Sequence, residues 1–251
     1  MMNDWLAVYV IWLREVKRFW REKPRVITSV VQPILWLFIL GIGIGSSLQP
    51  RGIEYNYIQY IFPGVIAMTI LFSSMNSGIY IVWDREFGFL KEILVSPVSR
   101  ASIVLGKILA GSTTAIFQST IILLFASVIG INMSVFMFIK TVLIMILLAI
   151  SLSTIGILIG SKIASFHSYP LVSNFIIMPM FFLSGAMFPL SNVPSWMHFI
   201  SKFNPLTYGV DLLRQSIIGS GTYSVWLNIF ILLLVAVIMG IAATYVLKHT
   251  E

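Results

Sequence analysis

Six long apolar runs fill most of this chain and constrain its fold more than any other feature. A transmembrane helix needs ~20 consecutive apolar residues to cross a bilayer. Runs of that length lie at residues 26–48, 57–82, 102–130, 135–161, 169–190 and 224–247. Hydrophobic residues make up 58% of the chain and charged residues 10%, whereas about a quarter of residues are charged in soluble proteins. The sequence therefore predicts an all-α integral membrane protein with six transmembrane helices in a single domain, residues 1–251.

A few small or polar residues, Gly130, Asn132 and Ser134, separate the third run from the fourth. About 60 apolar residues at ~1.5 Å per residue are far too long for one crossing. We therefore predict that these two runs form a tight hairpin.

Small and polar residues inside the runs indicate where helices approach one another. The spacings Gly41–Gly45 and Gly156–Gly160 favour close helix contact, which we expect within one chain rather than between two copies. The second run also carries a polar group near its end, formed by Ser73, Ser74, Asn76 and Ser77. These side chains need hydrogen-bond partners in a membrane, which are supplied either by neighbouring helices or by a translocation path.

The distribution of Lys and Arg predicts the orientation. With the N-terminus inside, twelve of the 16 basic residues lie on the cytoplasmic side, as the positive-inside rule requires. The twelve are Arg14, Lys17, Arg18, Arg21, Lys23, Arg25, Arg85, Lys91, Arg100, Lys107, Lys162 and Lys248, against Arg51, Lys140, Lys202 and Arg214 outside. Both termini are then cytoplasmic. The net charge of +7 is explained by membrane orientation and anionic lipid, so no nucleic-acid partner is expected.

Residues 4–23 predict a helix that lies along the inner membrane surface. Hydrophobic residues form one face, namely Trp5, Tyr9, Trp12, Leu13, Val16 and Trp20. Basic residues such as Arg14 and Lys17 form another, and aromatic side chains suit the headgroup boundary. The helix is either a generic basic anchor or a lever between a partner and the first transmembrane helix.

Residues 83–97 form a charged segment between two apolar runs. Its charged members are Asp84, Arg85, Glu86, Lys91 and Glu92. Trp83, Phe87, Leu90 and Leu94 recur at the spacing of one helical face. The pattern predicts a short amphipathic helix at the inner surface, presented to a soluble partner.

Residues 191–219 are too polar to cross the bilayer and too apolar for a solvated loop, and they predict two short helices. Asn204 suits an N-cap, Pro205 the first helical position, and Gly219 a helix end. Asp211 and Arg214 are three residues apart, so we expect them to form an ion pair on one helical face. Such a pair of helices is able to re-enter the outer leaflet where protein or a wet cavity covers its irregular backbone.

Several chemistries are missing from the sequence. The nearest fragment to a phosphate-binding P-loop is Gly106-Lys107, which Ile108 follows, so the chain has no nucleotide-hydrolysing motif. The sequence has no Cys, and its three His lie on separate segments, so no bound metal or cofactor is predicted. No carboxylate lies between Glu92 and Asp211, which disfavours the leading alternative, an ion- or proton-coupled carrier or channel. A membrane-embedded enzyme is disfavoured because no nucleophile and base are evident.

Short strings placed in order along the runs resemble the permease subunit of ABC transporters of the type-2 exporter class. They are Phe62-Pro63-Gly64, Arg85-Glu86-Phe87-Gly88, Ser96-Pro97-Val98-Ser99-Arg100, Gly106-Lys107, Phe182-Leu183-Ser184-Gly185, Phe188-Pro189, Asn204-Pro205-Leu206-Thr207-Tyr208 and Asp211-Leu212-Leu213-Arg214. The resemblance covers nearly the whole chain.

The resemblance implies a function and a set of partners. A separate ATPase, present in two copies, uses ATP and Mg²⁺, while two permease copies form the path for a drug, lipid or lipid-linked glycan across a prokaryotic cell membrane. The implied ATPase-coupling residues are Trp83, Asp84, Arg85, Glu86, Phe87, Gly88, Leu90, Lys91, Glu92 and Leu94. The implied outer cap contains Asn204, Pro205, Tyr208, Asp211 and Arg214. The chain itself is then a transport subunit and not an enzyme.

Overall fold

The computed structural model of the chain describes residues 4–43, 56–90, 95, 98–190 and 193–249. Those residues form helices joined by turns and contain no β-strand, so the all-helical prediction is confirmed for them. The α-helices are α1 (Asp4–Arg21), α2 (Lys23–Gly43), α3 (Tyr57–Asn76), α4 (Ile79–Glu86), α5 (Arg100–Leu124), α6 (Val135–Lys162), α7 (Ser168–Phe182), α8 (Ser195–Ser201), α9 (Pro205–Ile218) and α10 (Val225–Lys248).

Four segments of the described chain are long and apolar enough to cross a membrane, and the protein is a multi-pass membrane protein. They are Tyr57–Glu86, Arg100–Ile129, Val135–Lys162 and Val225–Lys248. These segments coincide with the second, third, fourth and sixth predicted runs. Helix α2 covers the start of the first run, whose remaining residues lie outside the described chain.

The fifth run forms a shorter helix than the sequence predicts. Helix α7 has 15 residues and ends at Phe182, after which the chain turns. Gly185 adopts φ 78°, a left-handed conformation that stops helices. The turn packs directly on α3, because a Cβ at Gly64 would lie 2.2 Å from the Ala186 carbonyl oxygen.

Helix α3 occupies the centre of the bundle and supplies most of its core. Fully buried side chains along it include Phe62, Ile66 and Ile70, which pack with residues of α5, α6 and α9. Helix α10 lies at the periphery and leaves most of its apolar surface exposed. This distribution fits a protein whose outer helices are covered by lipid rather than water.

A close helix crossing explains one of the glycine pairs. The segment predicted as one span at 57–82 breaks at a Ser77–Gly78 turn between α3 and α4. At this break a Cβ on Gly78 would lie 2.0 Å from the Gly156 carbonyl oxygen. A Cβ on Gly160 would lie 2.2 Å from the Gly78 carbonyl oxygen. The Gly156–Gly160 pair therefore serves packing within one chain, as predicted. Of the other pair, Gly41 contacts Ile58 and Gly45 lies outside the described residues.

The third and fourth runs form the predicted hairpin. A short 3-10 turn, Phe125–Ile129, follows α5, and Gly130 has φ 80°. The Ser134 hydroxyl then accepts a hydrogen bond from the Met137 amide at 3.2 Å and caps α6.

Helix α1 divides its hydrophobic residues between two faces. The buried stripe is Ala7, Val8, Ile11, Glu15 and Phe19. This stripe packs on α5, where a Cβ on Gly106 would lie 2.9 Å from the Ile11 Cβ. Trp5, Tyr9 and Trp20 of the predicted apolar face are instead exposed. The stripe of smaller side chains allows the close helix contact and leaves the large aromatic rings free for the membrane boundary.

Candidate functional site

Four charged side chains from three helices meet at one end of the bundle, which we call the charge cluster: Arg14, Glu15, Asp84 and Lys107. The Lys107 ammonium of α5 lies 2.5 Å from the Asp84 carboxylate and 3.2 Å from that of Glu15. Arg14 donates to the same two carboxylate oxygens as Lys107, at 2.7 Å from Asp84 Oδ2 and 2.5 Å from Glu15 Oε1. The charge cluster therefore ties α1, α4 and α5 together.

Burial makes this charge cluster energetically demanding. Lys107 is 2% exposed and Asp84 is 5% exposed, so both are removed from water and depend on each other for compensation. The pKa of Arg14 is raised above its ordinary value: burial has the largest effect and acts to lower it, but the Glu15 and Asp84 carboxylates together outweigh that effect. Asp84 faces into the protein and is inaccessible to a soluble partner.

Arg85 and Glu86 fasten the end of α4 to the loop that follows α6. The Arg85 guanidinium donates to the carbonyl oxygens of Ser161 at 2.7 Å and Ile163 at 2.9 Å. These carbonyls belong to the C-terminal end of α6, where a cation also interacts favourably with the helix dipole. The Glu86 carboxylate accepts a hydrogen bond from the Phe166 amide at 3.0 Å. Both charged side chains are therefore used in contacts within the chain.

The helix predicted over residues 83–97 is not continuous. Helix α4 ends at Glu86, and Gly88 follows with φ 77°, a left-handed conformation that interrupts a helix. Helical backbone resumes at Phe89 and Leu90. Lys91, Glu92 and Leu94 lie outside the described residues.

The break separates residues that the predicted helical face grouped together. Phe87 is 74% exposed, whereas Leu90 is 4% exposed and belongs to a core shared with α5 and α6. Trp83 is partly buried beneath the Arg18 guanidinium, 4.3 Å from its ring centroid, and its ring centroid lies 5.5 Å from that of Phe87. We call Phe87 and Phe89 the aromatic corner, because both exposed rings flank Gly88.

The two predicted short helices at the opposite end are α8 and α9. The Asn204 side chain caps α9 by accepting from the Leu206 amide at 3.1 Å, and it donates to the Met180 carbonyl at 2.6 Å. Pro205 occupies the first turn, and Gly219 ends the helix with φ 70°. The Tyr208 hydroxyl donates to the Lys202 carbonyl at 2.6 Å and so joins α9 to the end of α8.

Asp211 organises the loop between α9 and α10 rather than pairing with Arg214. Its carboxylate accepts from the amides of Thr222 at 2.6 Å and Tyr223 at 3.1 Å. It also accepts from the side-chain amides of Gln215 at 2.7 Å and Asn228 at 2.8 Å.

Arg214 has partners of its own. It donates to the Gly185 carbonyl at 2.8 Å and lies 4.2 Å from the centroid of the Tyr60 ring. Burial lowers the pKa of Arg214, with Tyr60 and Asp211 acting in the opposite direction. The predicted ion pair between Arg214 and Asp211 is wrong, because the hydrogen bonds of the two side chains go to different partners and the Arg214 Nε atom is buried without one.

Comparison with known proteins decides the family. The sequence profile of the ABC-2 type transporter matches residues 7–218. The chain is 33% identical over 206 residues to the transport permease ycf38 of Cyanophora paradoxa, covering 79% of this chain and 71% of the relative. It is 26% identical to the inner membrane transport permease YadH of Escherichia coli K12, and the match covers 86% of this chain and 84% of that relative. Nodulation protein J of Rhizobium leguminosarum is 25% identical, and the match covers 98% of this chain and 94% of that relative.

The chain belongs to the ABC-2 type transporter family. The family match runs from α1 to the last residue of α9. It therefore includes both the charge cluster and the helical pair at the opposite end. The chain is an ABC-2 transport permease.

Three members of this permease's charge cluster, Arg14, Glu15 and Lys107, were not among the site residues predicted from the sequence. Glu15 is the carboxylate on the buried stripe of α1, four residues after Ile11 and four before Phe19. Lys107 lies within an apolar run, and a charge in such a run is itself a signal of function or of a buried partner. The sequence did not reveal that partner, because Glu15 and Lys107 are 92 residues apart.

Proposed function

We propose that this chain is the membrane-spanning subunit of an ATP-driven exporter. A separate ATPase, in two copies, binds ATP and Mg²⁺, and two copies of the permease form the path for an amphiphilic or hydrophobic substrate. Membership of the ABC-2 family supports this assignment, as does the absence of a P-loop from the sequence. ATP binding draws the ATPase subunits together, and the permease pair alternates between inward-open and outward-open states.

The proposal includes six transmembrane helices with both termini in the cytoplasm of a prokaryotic cell. Helix α2 is the first and α7 the fifth, added to the four segments named above. Helix α7 rises about 22 Å over its 15 residues, less than the ~30 Å hydrocarbon core. The turn after it is protected instead by protein, since Ser184 and Ala186 are buried, as irregular backbone inside a membrane must be.

The observation that carries the proposal is the position of Arg14. Its guanidinium lies 4.7 Å from the centroid of the exposed Phe89 ring and 2.7 Å from the buried Asp84 carboxylate. A partner that displaces the aromatic corner would therefore act directly on the charge cluster. Because the charge cluster also holds Glu15 and Lys107, the displacement would reach α1 and α5 together.

We assign the aromatic corner as the ATPase-docking surface. Exposed aromatic side chains are the residues that most often anchor a protein interface. At the opposite end, α8 and α9 form the outer cap. Helix α9 is buried against α3 and α6, whereas Trp196, Phe199 and Phe203 of the α8 region are exposed and suit the outer membrane boundary.

Co-purification with an ATPase tests this function. The permease is co-expressed with a candidate ABC ATPase from the same organism, and only the permease carries an affinity tag. We expect a complex with two copies of each subunit whose ATP hydrolysis in vesicles is accompanied by substrate export. A permease that purifies without an ATPase and still moves a solute when a proton or sodium gradient is imposed would contradict the proposal and favour a secondary carrier.

A further inference from the structure

A polar cavity lies between α1, α2, α3 and α5 on the side of the charge cluster; we call it the polar pocket. It has a volume of about 180 Å³, and its lining includes Arg25, Gln32, Asn76 and Gln118. Some of the polar residues near the end of α3 have partners inside the protein, since Ser74 donates to the Ala149 carbonyl and Ser77 to the Ser74 carbonyl. Ser73 and Asn76 instead face the polar pocket.

Gln118 is the observation that points to a ligand. It is 3% exposed and lines the polar pocket. Among the described residues its side-chain amide forms no hydrogen bond, and its polar atoms are not sealed in the core but open into the polar pocket. An amide in such a position is nearly always hydrogen-bonded, either to water or to a ligand. An amide that both donates and accepts is suited to a bound polar group.

The charge of the polar pocket favours an anion. Arg25 is the charged residue among the described side chains that line it, and no carboxylate lines it. Its guanidinium donates to the Tyr80 hydroxyl at 2.5 Å and to Glu22 at 3.2 Å. The Glu22 carboxylate also lies 3.6 Å from the Arg18 guanidinium. One carboxylate therefore faces two cations, and the rim of the polar pocket keeps a net positive charge. Guanidinium and amide donors together are typical of a site for phosphate or carboxylate oxygens.

A second cavity adjoins the polar pocket along α3; we call it the apolar pocket. It has a volume of about 150 Å³ and lies between α2, α3 and α7. Its walls include Trp36, Val65 and Phe182, and the two cavities share Met68 and Phe72. A hydrogen-bonding, positively charged chamber therefore lies beside a chamber walled by aliphatic and aromatic side chains.

We propose that the two pockets form one binding site for an amphiphile with a small anionic head. The head, a phosphate-type group, binds Arg25 and Gln118, and the hydrocarbon part occupies the apolar pocket. This assignment rests on the proposed function, because it names the class of substrate that the exporter takes from the inner leaflet. Pro33 supports access to the polar pocket, since it cannot donate to the Ser29 carbonyl and so loosens α2 where that helix lines the wall.

Binding of dodecyl phosphate to the full-length chain in phosphatidylcholine nanodiscs tests the site. We expect saturable binding of dodecyl phosphate and none of dodecyltrimethylammonium. Arg25→Gln should weaken binding about tenfold, as expected for loss of a charge-assisted hydrogen bond. Gln118→Leu should weaken it about fivefold. The matched controls are Arg21→Gln, on the exposed surface of α1, and Gln59→Leu, whose amide contacts the Ile129 carbonyl elsewhere; both should bind within twofold of the wild type.

The hydrocarbon requirement is tested separately. Phe182→Ala should weaken dodecyl phosphate binding, and inorganic phosphate should compete poorly. Inorganic phosphate that binds as tightly as dodecyl phosphate would overturn the amphiphile assignment. Equal losses in Arg25→Gln and Arg21→Gln would also overturn it, because they would indicate attraction to the basic surface in general. If Gln118→Leu fails to fold, Gln118→Glu substitutes for it, and that carboxylate should repel the phosphate.

Failure of this binding site and failure of the proposed function give different experimental results. A chain that assembles with its ATPase and exports a solute but does not bind dodecyl phosphate would leave the exporter intact and remove this site. A chain that binds dodecyl phosphate at Arg25 and Gln118 but assembles with no ATPase would leave the site intact and remove the exporter.

Discussion

The Lys107 ammonium and the Asp84 carboxylate lie 2.5 Å apart and are both buried. Lys107 comes from an apolar helix, and Asp84 lies in the second half of α4, so the pair joins one end of a membrane segment to the segment that leads to the aromatic corner. Removing one member leaves the other as a buried charge, which is far less favourable than the intact pair. This contact is therefore the most sensitive point of the charge cluster.

We predict that Lys107→Met destabilises the protein by about 3 kcal/mol, because Asp84 and Glu15 lose their shared cation. Thermal unfolding of the purified chain in detergent measures the effect. Lys140→Met, at an exposed position, is the control and should change stability by about 0.5 kcal/mol or less. Adding Asp84→Asn to Lys107→Met should recover part of the loss. A Lys107→Met variant as stable as the control would refute the role of the charge cluster.

Phe87 and Leu90 should behave differently, because one is exposed and the other is buried. Phe87→Ala should leave stability unchanged but weaken ATPase binding by more than ~1 kcal/mol, the usual effect of removing an interface anchor. Leu90→Ala should instead destabilise the permease by about 2 kcal/mol or more. Titration with the purified ATPase and thermal unfolding separate the two effects. Phe136→Ala, 78% exposed at the start of α6, is the control and should bind the ATPase normally.

Local chemistry accounts for what the sequence predicted well. Apolar run length identified the four segments that are long enough to cross a membrane. The boundaries of α9 follow from Asn204, Pro205 and Gly219, whose effects on backbone conformation extend over only a few residues. The Gly156–Gly160 spacing likewise indicated a close approach, because only small residues allow it. These features needed no knowledge of which helices are neighbours.

The predictions that failed depended on tertiary structure. A single glycine does not end a helical pattern, so Gly88 gave no warning that Phe87 and Leu90 would separate. Spacing of three residues favours an ion pair between Asp211 and Arg214. In the folded chain their partners are instead the backbone amides of Thr222 and Tyr223 and the Gly185 carbonyl, which are 11 to 29 residues away. The charge cluster and the polar pocket arise from helices distant in sequence and could not be located before the fold was known.

The proposed topology predicts which positions are accessible from each side. The sequence has no Cys, so single Cys residues introduced at Asn56 and Thr222 should react with a membrane-impermeant maleimide on intact cells. A Cys at Phe89 should react only after permeabilisation. Labelling of the Phe89 position on intact cells would reverse the orientation and remove the aromatic corner from the cytoplasm.

Asp211 and Arg214 should contribute independently to stability. Asp211→Ala leaves the Thr222 and Tyr223 amides and two side-chain amides without their acceptor, and we expect a loss of about 3 kcal/mol. Arg214→Ala frees the Gly185 carbonyl and should cost about 2 kcal/mol. Because their hydrogen-bond partners differ and only the Coulombic attraction between the two charges is shared, the two losses should add to within about 1 kcal/mol in the double variant. Thermal unfolding of the three variants tests this; a double variant no less stable than either single variant would indicate a direct ion pair instead.

The glycine crossing between α4 and α6 gives the last prediction. A Cβ at Gly160 would lie 2.2 Å from the Gly78 carbonyl oxygen, so Gly160→Ala forces two backbones apart and should destabilise the protein by about 1–3 kcal/mol. Gly240→Ala is the matched control, because the nearest atom to its Cβ is 3.8 Å away; alanine in that helix should be neutral or stabilising by up to ~1 kcal/mol. Unfolding temperatures measured side by side should therefore move in opposite directions. If Gly160→Ala stabilised the chain as much as Gly240→Ala, the backbones at Gly78 and Gly160 would not be in close contact, and coupling between the aromatic corner and α6 would depend on side chains such as Arg85 and Leu90.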